Sequence, residues 1–117
     1  AHTGAARAAV ESLTRDLASR WSADGVAVIA LGLGRLATES LKKYPEPIWK
    51  TAAQTVPLQR LGDTADYGSL VSLLLGRPGR ELSGSVIDLD GGLANWHGAW
   101  PPPESGHTDG LVPTEAK

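Results

Sequence analysis

Apolar residues recur at three- and four-residue spacing at the start of the chain: Ala6, Val10, Leu13, Leu17 and Trp21. That spacing lays one apolar stripe along a helix from about Ala5 to Ser22. Arg7, Glu11, Arg15 and Asp16 fall mostly on its other faces. Asp24-Gly25 reads as a turn. Val26 to Leu31 is an unbroken apolar run, the pattern of a strand buried on both faces, and Gly32-Leu33-Gly34 ends it. Residues 35–60 are mixed, with Lys42, Lys43, Tyr44, Pro45, Pro47 and Trp49, and predict a mobile segment with some helix. Asp63 or Thr64 caps a second helix over 64–75, with Asp66 in its first turn and Leu70, Val71, Leu74 and Leu75 on its apolar face. Gly76 stops that helix, and Pro78-Gly79 reads as a turn. Residues 85–89 predict a second buried strand, and a Gly/Pro/Trp-containing tail follows over 93–117.

Strand, long helical connection and strand predict a parallel pair, which requires a right-handed crossover. Two parallel strands are a poor sheet alone, because parallel sheets need both faces covered and several strands. A free strand edge and exposed apolar surface are therefore expected unless a second polypeptide supplies the remaining strands. The chain has 117 residues, 41% of them hydrophobic, a net charge of −2, and no Cys, Met or Phe. One domain is the natural expectation at this length. Without Cys there is no disulfide framework and no thiolate metal site. The charge offers no case for nucleic acid or an anionic membrane. The longest apolar run is too short to span a bilayer, so a cytoplasmic protein is the default. With no Met, the N-terminus at Ala1 reads as a cut, a processing site or a chosen boundary.

The candidate chemistry lies in a series of short motifs. The chain opens Ala1-His-Thr-Gly-Ala-Ala-Arg7 and runs into the first helix; the first strand ends near Gly34, and the last ends Asp88-Leu-Asp-Gly-Gly92. In this order the motifs resemble the C-terminal half of a short-chain dehydrogenase/reductase, over residues 1–92. The resemblance implies an α/β fold: half of a Rossmann-type doubly wound parallel sheet, with two strands and about three helices, incomplete alone. It makes 35–60 the substrate-loop segment.

The resemblance also implies site residues. The family commonly carries Tyr and Lys four apart at the start of this helix, where this chain has Thr3 and Arg7. A Thr hydroxyl stays protonated at neutral pH and works as a hydrogen-bond donor or acceptor, while Arg7 keeps the positive charge. His2-Thr3-Gly4-Ala5-Ala6-Arg7-Ala8 is similar to the branch that reduces enoyl- and dienoyl-CoA thioesters, in which the hydroxyl polarises the thioester oxygen. Arg7, Gly34 and Thr38 would face a nicotinamide cofactor, NAD or NADP. Lys42, Lys43 and Trp49 would meet the substrate, with Lys50 nearby. Ile29 and Leu33 stand where the family has Asn and Pro.

From the residues alone, Thr3 could equally cap its helix, Arg7 could be solvated, and the lysines could form a solvated face. No glycine-rich phosphate loop occurs in these 117 residues, so cofactor binding would need an N-terminal half or companion subunit, and an oligomer is expected. The alternative is a degenerate, non-catalytic subunit of the same fold with an assembly role. Asp88-x-Asp90-Gly91 fails as a calcium loop, because Leu93 and Ala99 stand where Gly and Glu belong, and reads as a strand-end turn. Trp96, His97 and Trp100 read as packing or interface residues.

Overall fold

The computed structural model describes residues 1–102, the Lys42 side chain excepted. Its elements are α1 (His2–Trp21), β1 (Ala30–Leu33), α2 (Glu46–Gln54), α3 (Thr64–Leu75), α4 (Arg77–Glu81) and β2 (Val86–Leu89), with 3₁₀ turns at Ser22–Asp24 and Leu41–Lys43. β1 and β2 form a two-stranded parallel sheet. Its ladder runs from Ala30 N donating to Ser85 O (3.0 Å) to Gly34 N donating to Leu89 O (3.1 Å). The α/β class and the parallel pair agree with the sequence. Four α-helices form among the described residues, where about three were expected.

The differences have local causes. The first strand occupies Ala30–Leu33 rather than 26–31. Its partner β2 is four residues long and follows Gly84, whose φ of +85° turns the chain into the sheet. Before that point Val28 N donates to the Ser83 hydroxyl (3.1 Å), and Gly84 N donates to Val28 O (2.7 Å), so the pairing there is irregular. Pro78-Gly79 lies inside α4 rather than in a turn. Proline suits the first helical turn because its missing N–H has no partner there anyway. Gly79 is buried with Leu74 O against the position a Cβ would take, so only glycine allows this approach.

The described residues fall into two compact units, Ala1–Gly32 with Gly68–Ile87, and Leu33–Tyr67 with the chain from Asp88 onward. In the first unit, α1 is 20 residues long and so spans about 30 Å, more than twice the length of a four-residue strand. Only Thr14 and Ala18 of α1 are buried, and the Ala18 methyl lies in van der Waals range of the Cβ position of Gly84. Neither Thr14 nor Ala18 belongs to the expected apolar stripe, of which Leu17 is half-buried while Val10 is 58% exposed and Leu13 and Trp21 are also exposed. Arg20 Nε donates to Asp16 Oδ2 at 2.8 Å, and that hydrogen bond, then the carboxylate charge, raises the Arg20 pKa. An apolar groove of about 230 Å³ runs between Ala27, Ile29 and Leu31 on one side and Val71, Leu74 and Leu75 on the other. Ile29, the position where the family has Asn, therefore lines apolar surface.

In the second unit the buried apolar residues are Val56 (2% exposed) and Leu61 (8%). A second short parallel pairing ties Leu36 to Gly62: Ala37 N donates to Gly62 O and Gly62 N to Arg35 O, both at 2.8 Å. The two ends of the 38–61 segment are thus fastened together. Asp63 Oδ1 accepts from Ala65 N at 2.9 Å, so Asp63 is the capping residue of α3. No helix among the described residues is long and apolar enough to cross a membrane. The tail from residue 103, with His107, lies outside the described residues.

Candidate functional site

Thr3 and Arg7 lie in the first two turns of α1, four residues apart and so on one face of the helix, and both are exposed. The capping position belongs to Ala1, and no side chain bonds the first helical N–H groups. Thr3 is therefore inside the helix and does not cap it, which removes one of its two readings. Arg7 makes no ion pair among the described residues. The pair presents a hydroxyl and a guanidinium side by side to whatever lies beyond the helix start.

The other candidates belong to the second unit. Gly34 follows β1, and a Cβ on it would stand 2.5 Å from Asp90 Cα and 2.7 Å from Asp90 Cβ. The room that Gly34 leaves is filled by the Asp90 backbone. Thr38 is half-buried; its hydroxyl is 2.9 Å from the Ser40 hydroxyl, and its N–H donates to Leu36 O at 3.0 Å. Lys42 and Lys43 lie in the 3₁₀ turn before α2; Lys43 is exposed, and the Lys42 side chain lies outside the described atoms. Trp49 is half-buried in α2, while Lys50 pairs with Glu46 one turn back. Residues Gly34, Thr38, Lys43 and Trp49 thus share one unit, and Thr3 and Arg7 the other.

A charged cleft of about 110 Å³ that no sequence motif marks lies in the second unit, lined by Arg35, Arg60, Asp63, Asp66 and Asp90 with Val56, Leu58 and Leu89. Arg60 is half-buried, with Nη1 3.5 Å from Leu61 O and 3.9 Å from Asp66 Oδ2. Asp90 confirms the strand-end turn: Oδ1 accepts from Gly92 N at 2.8 Å and Oδ2 from Ala94 N at 2.5 Å. Gly91 and Gly92 then take φ of +68° and +87°. An Asp followed by two glycines is the available sequence signal, since Asp bonds the backbone two residues on and glycine accepts positive φ.

Thr38 offers a hydroxyl in one unit and Arg7 a guanidinium with no ion pair among the described residues in the other. Among the described residues no Gly-x-Gly-x-x-Gly turn of the kind that cradles a pyrophosphate opens a helix.

Comparison with known proteins places these features in a family. The family model described as enoyl-(acyl carrier protein) reductase matches residues 1–94. Among curated proteins the chain is similar to galactitol 2-dehydrogenase (L-tagatose-forming) of Cereibacter sphaeroides, 32% identical over 95 residues, covering 79% of this chain and 37% of that one. It is similar as well to the peroxisomal 2,4-dienoyl-CoA reductase of Pongo abelii, 34% identical over 94 residues, covering 78% and 32%. Among solved structures, a short chain dehydrogenase from Bacillus anthracis superposes with a TM-score of 0.70 at 27% identity, covering 84% of this chain and 38% of the other. The chain spans about a third of the length of the curated relatives it matches.

Proposed function

The chain belongs to the short-chain dehydrogenase/reductase family, and on that premise we propose that it forms the substrate-side part of a nicotinamide-dependent oxidoreductase acting on an enoyl or carbonyl group of an acyl-CoA-type substrate. The observation that carries this reading is the Thr3–Arg7 pair: a hydroxyl free of any capping duty on the same helix face as a guanidinium with no ion pair among the described residues. The similarity to a 2,4-dienoyl-CoA reductase supports the acyl-CoA class, since that is the substrate in the relative's name. The cofactor, when bound, supplies or accepts a hydride.

The residues of this chain orient and polarise. Thr3 donates its hydroxyl proton in a hydrogen bond to the carbonyl oxygen, and Arg7 holds positive charge where negative charge develops. Thr38 would hold the amide end of the cofactor through its hydroxyl, and Gly34 keeps the 34–38 loop packed against the Asp90 backbone. Lys43 and Trp49 would receive the phosphate and adenine of the substrate carrier. The pyrophosphate cradle would come from an N-terminal half or a companion subunit, which would also cover the apolar groove along Ala27, Ile29 and Leu31.

A second reading is an assembly subunit without turnover. The Ile29 side chain on the apolar groove and the loss of Pro at Leu33 favour it. The two separate in a reconstituted complex offered NADH and NADPH, with and without an enoyl-CoA. The oxidoreductase reading expects cofactor consumption only with the acyl-CoA present. A stable complex that binds neither cofactor supports the assembly reading.

A further inference from the structure

We propose that Asp90 is a positioning residue for this reaction, fixing through one turn both the 34–38 loop that carries Thr38 and the base of the 38–61 segment. This rests on the oxidoreductase reading and adds a residue to it. The Asp90 carboxylate accepts two backbone N–H bonds, from Gly92 and from Ala94, and so ties down the turn that folds the chain back after β2. Two other segments lean on that fold. The Asp90 backbone occupies the space left by Gly34, and Gly34 N donates to Leu89 O beside it. Gly91 faces Val56 so closely that a Cβ there would stand 2.6 Å from Val56 Cγ1.

Val56 is the most buried of the hydrophobic residues and lies two residues beyond the end of α2. From Gly34 the chain reaches Thr38 in four residues, held midway by the Leu36–Gly62 pairing. A shift of the Asp90 turn therefore displaces the loop bearing the cofactor-facing hydroxyl and the seat of the helix bearing Trp49 together. Neither segment is near Asp90 in sequence, and Asp90 itself need touch neither cofactor nor substrate.

Amide hydrogen exchange in the full chain tests the geometry. Asp90→Ala should raise exchange about tenfold at residues 34–38 and 54–58, the factor set by losing about 1.4 kcal/mol of local protection, and leave α1 unchanged. Asp90→Asn keeps the acceptor for Gly92 N and should recover part of that protection. If Asp90→Ala fails to fold, Ala94→Pro removes the second donor with the carboxylate intact and should give a weaker form of the same pattern. In the reconstituted complex, Asp90→Ala should raise KM for NADPH or NADH about tenfold with kcat changed less than about threefold, and Asp90→Asn should lie between. Exchange that rises at 91–94 alone, or an unchanged KM, overturns the positioning role. Exchange that spreads as stated in a chain whose unsubstituted complex binds no NADH or NADPH leaves the turn geometry intact and removes the oxidoreductase reading instead.

Discussion

Gly34→Ala is the sharpest perturbation available, because it adds one methyl at a point where there is no space. The new Cβ would stand 2.5 Å from Asp90 Cα, 2.7 Å from its Cβ and 3.1 Å from its carbonyl carbon. Two of these atoms are backbone, so no side-chain rotation relieves the contact. Overpacking of this kind costs about 1–3 kcal/mol, and separating the strands adds about 1 kcal/mol if the Gly34 N to Leu89 O bond is lost. For a chain of this size, each kcal/mol moves the melting temperature by about 4–8 °C, so a fall of about 10 °C or more is expected.

Gly68→Ala is the matched control: the same methyl inside α3, with nothing within 4 Å of the new Cβ. It should stabilise by about 0.5–1 kcal/mol, since glycine is the poorer helix former. Urea titrations of parent and variants at equal concentration, read by Trp fluorescence and far-ultraviolet circular dichroism, give both signs. Equal concentration matters because association shifts apparent stability. A Gly34→Ala midpoint within about 0.5 kcal/mol of the parent would refute the close approach of Asp90.

Asp63→Ala should destabilise α3 by about 1 kcal/mol through loss of the bond to Ala65 N, read as faster amide exchange in residues 64–68. The isolated chain should associate and bind an apolar dye, because Val10, Leu13, Trp21, Leu73 and the 84%-exposed Leu75 leave apolar surface uncovered; a dye-negative monomer by light scattering contradicts this. Arg7→Ala in an active complex should lower turnover or cofactor affinity about tenfold or more, while circular dichroism stays unchanged.

The elements were legible where local pattern decides them. Helix α3 has the bounds its apolar spacing and capping Asp63 imply, and the parallel strand pair follows from two apolar runs joined by a long crossover. Strand position was less legible, because the register of β1 is set by where β2 begins after Gly84. Pro78 looked like a turn residue because proline both ends and starts helices, and only its place at the first turn of α4 distinguishes the two. The α1 stripe could be read but its burial could not, since burial depends on what packs against it, and Val10 and Leu13 stay more than half exposed. At the candidate site, the shared face of Thr3 and Arg7 follows from helix spacing alone. The Asp90 turn does not, because Gly34 meets Asp90, and Val56 meets Gly91, only when segments far apart in sequence come together.

The central claim is that residues of this chain can carry the substrate side of an acyl-CoA reduction. Grafting residues 1–94 in place of the matching segment of the 2,4-dienoyl-CoA reductase relative tests it most directly. The graft should fold, bind reduced nicotinamide cofactor and consume it only when the dienoyl-CoA is added, and Thr3→Val within it should slow that consumption about tenfold without loss of helix. A folded graft that binds the cofactor yet shows no acyl-CoA-dependent consumption, or turns over with no dependence on Thr3, would contradict the account.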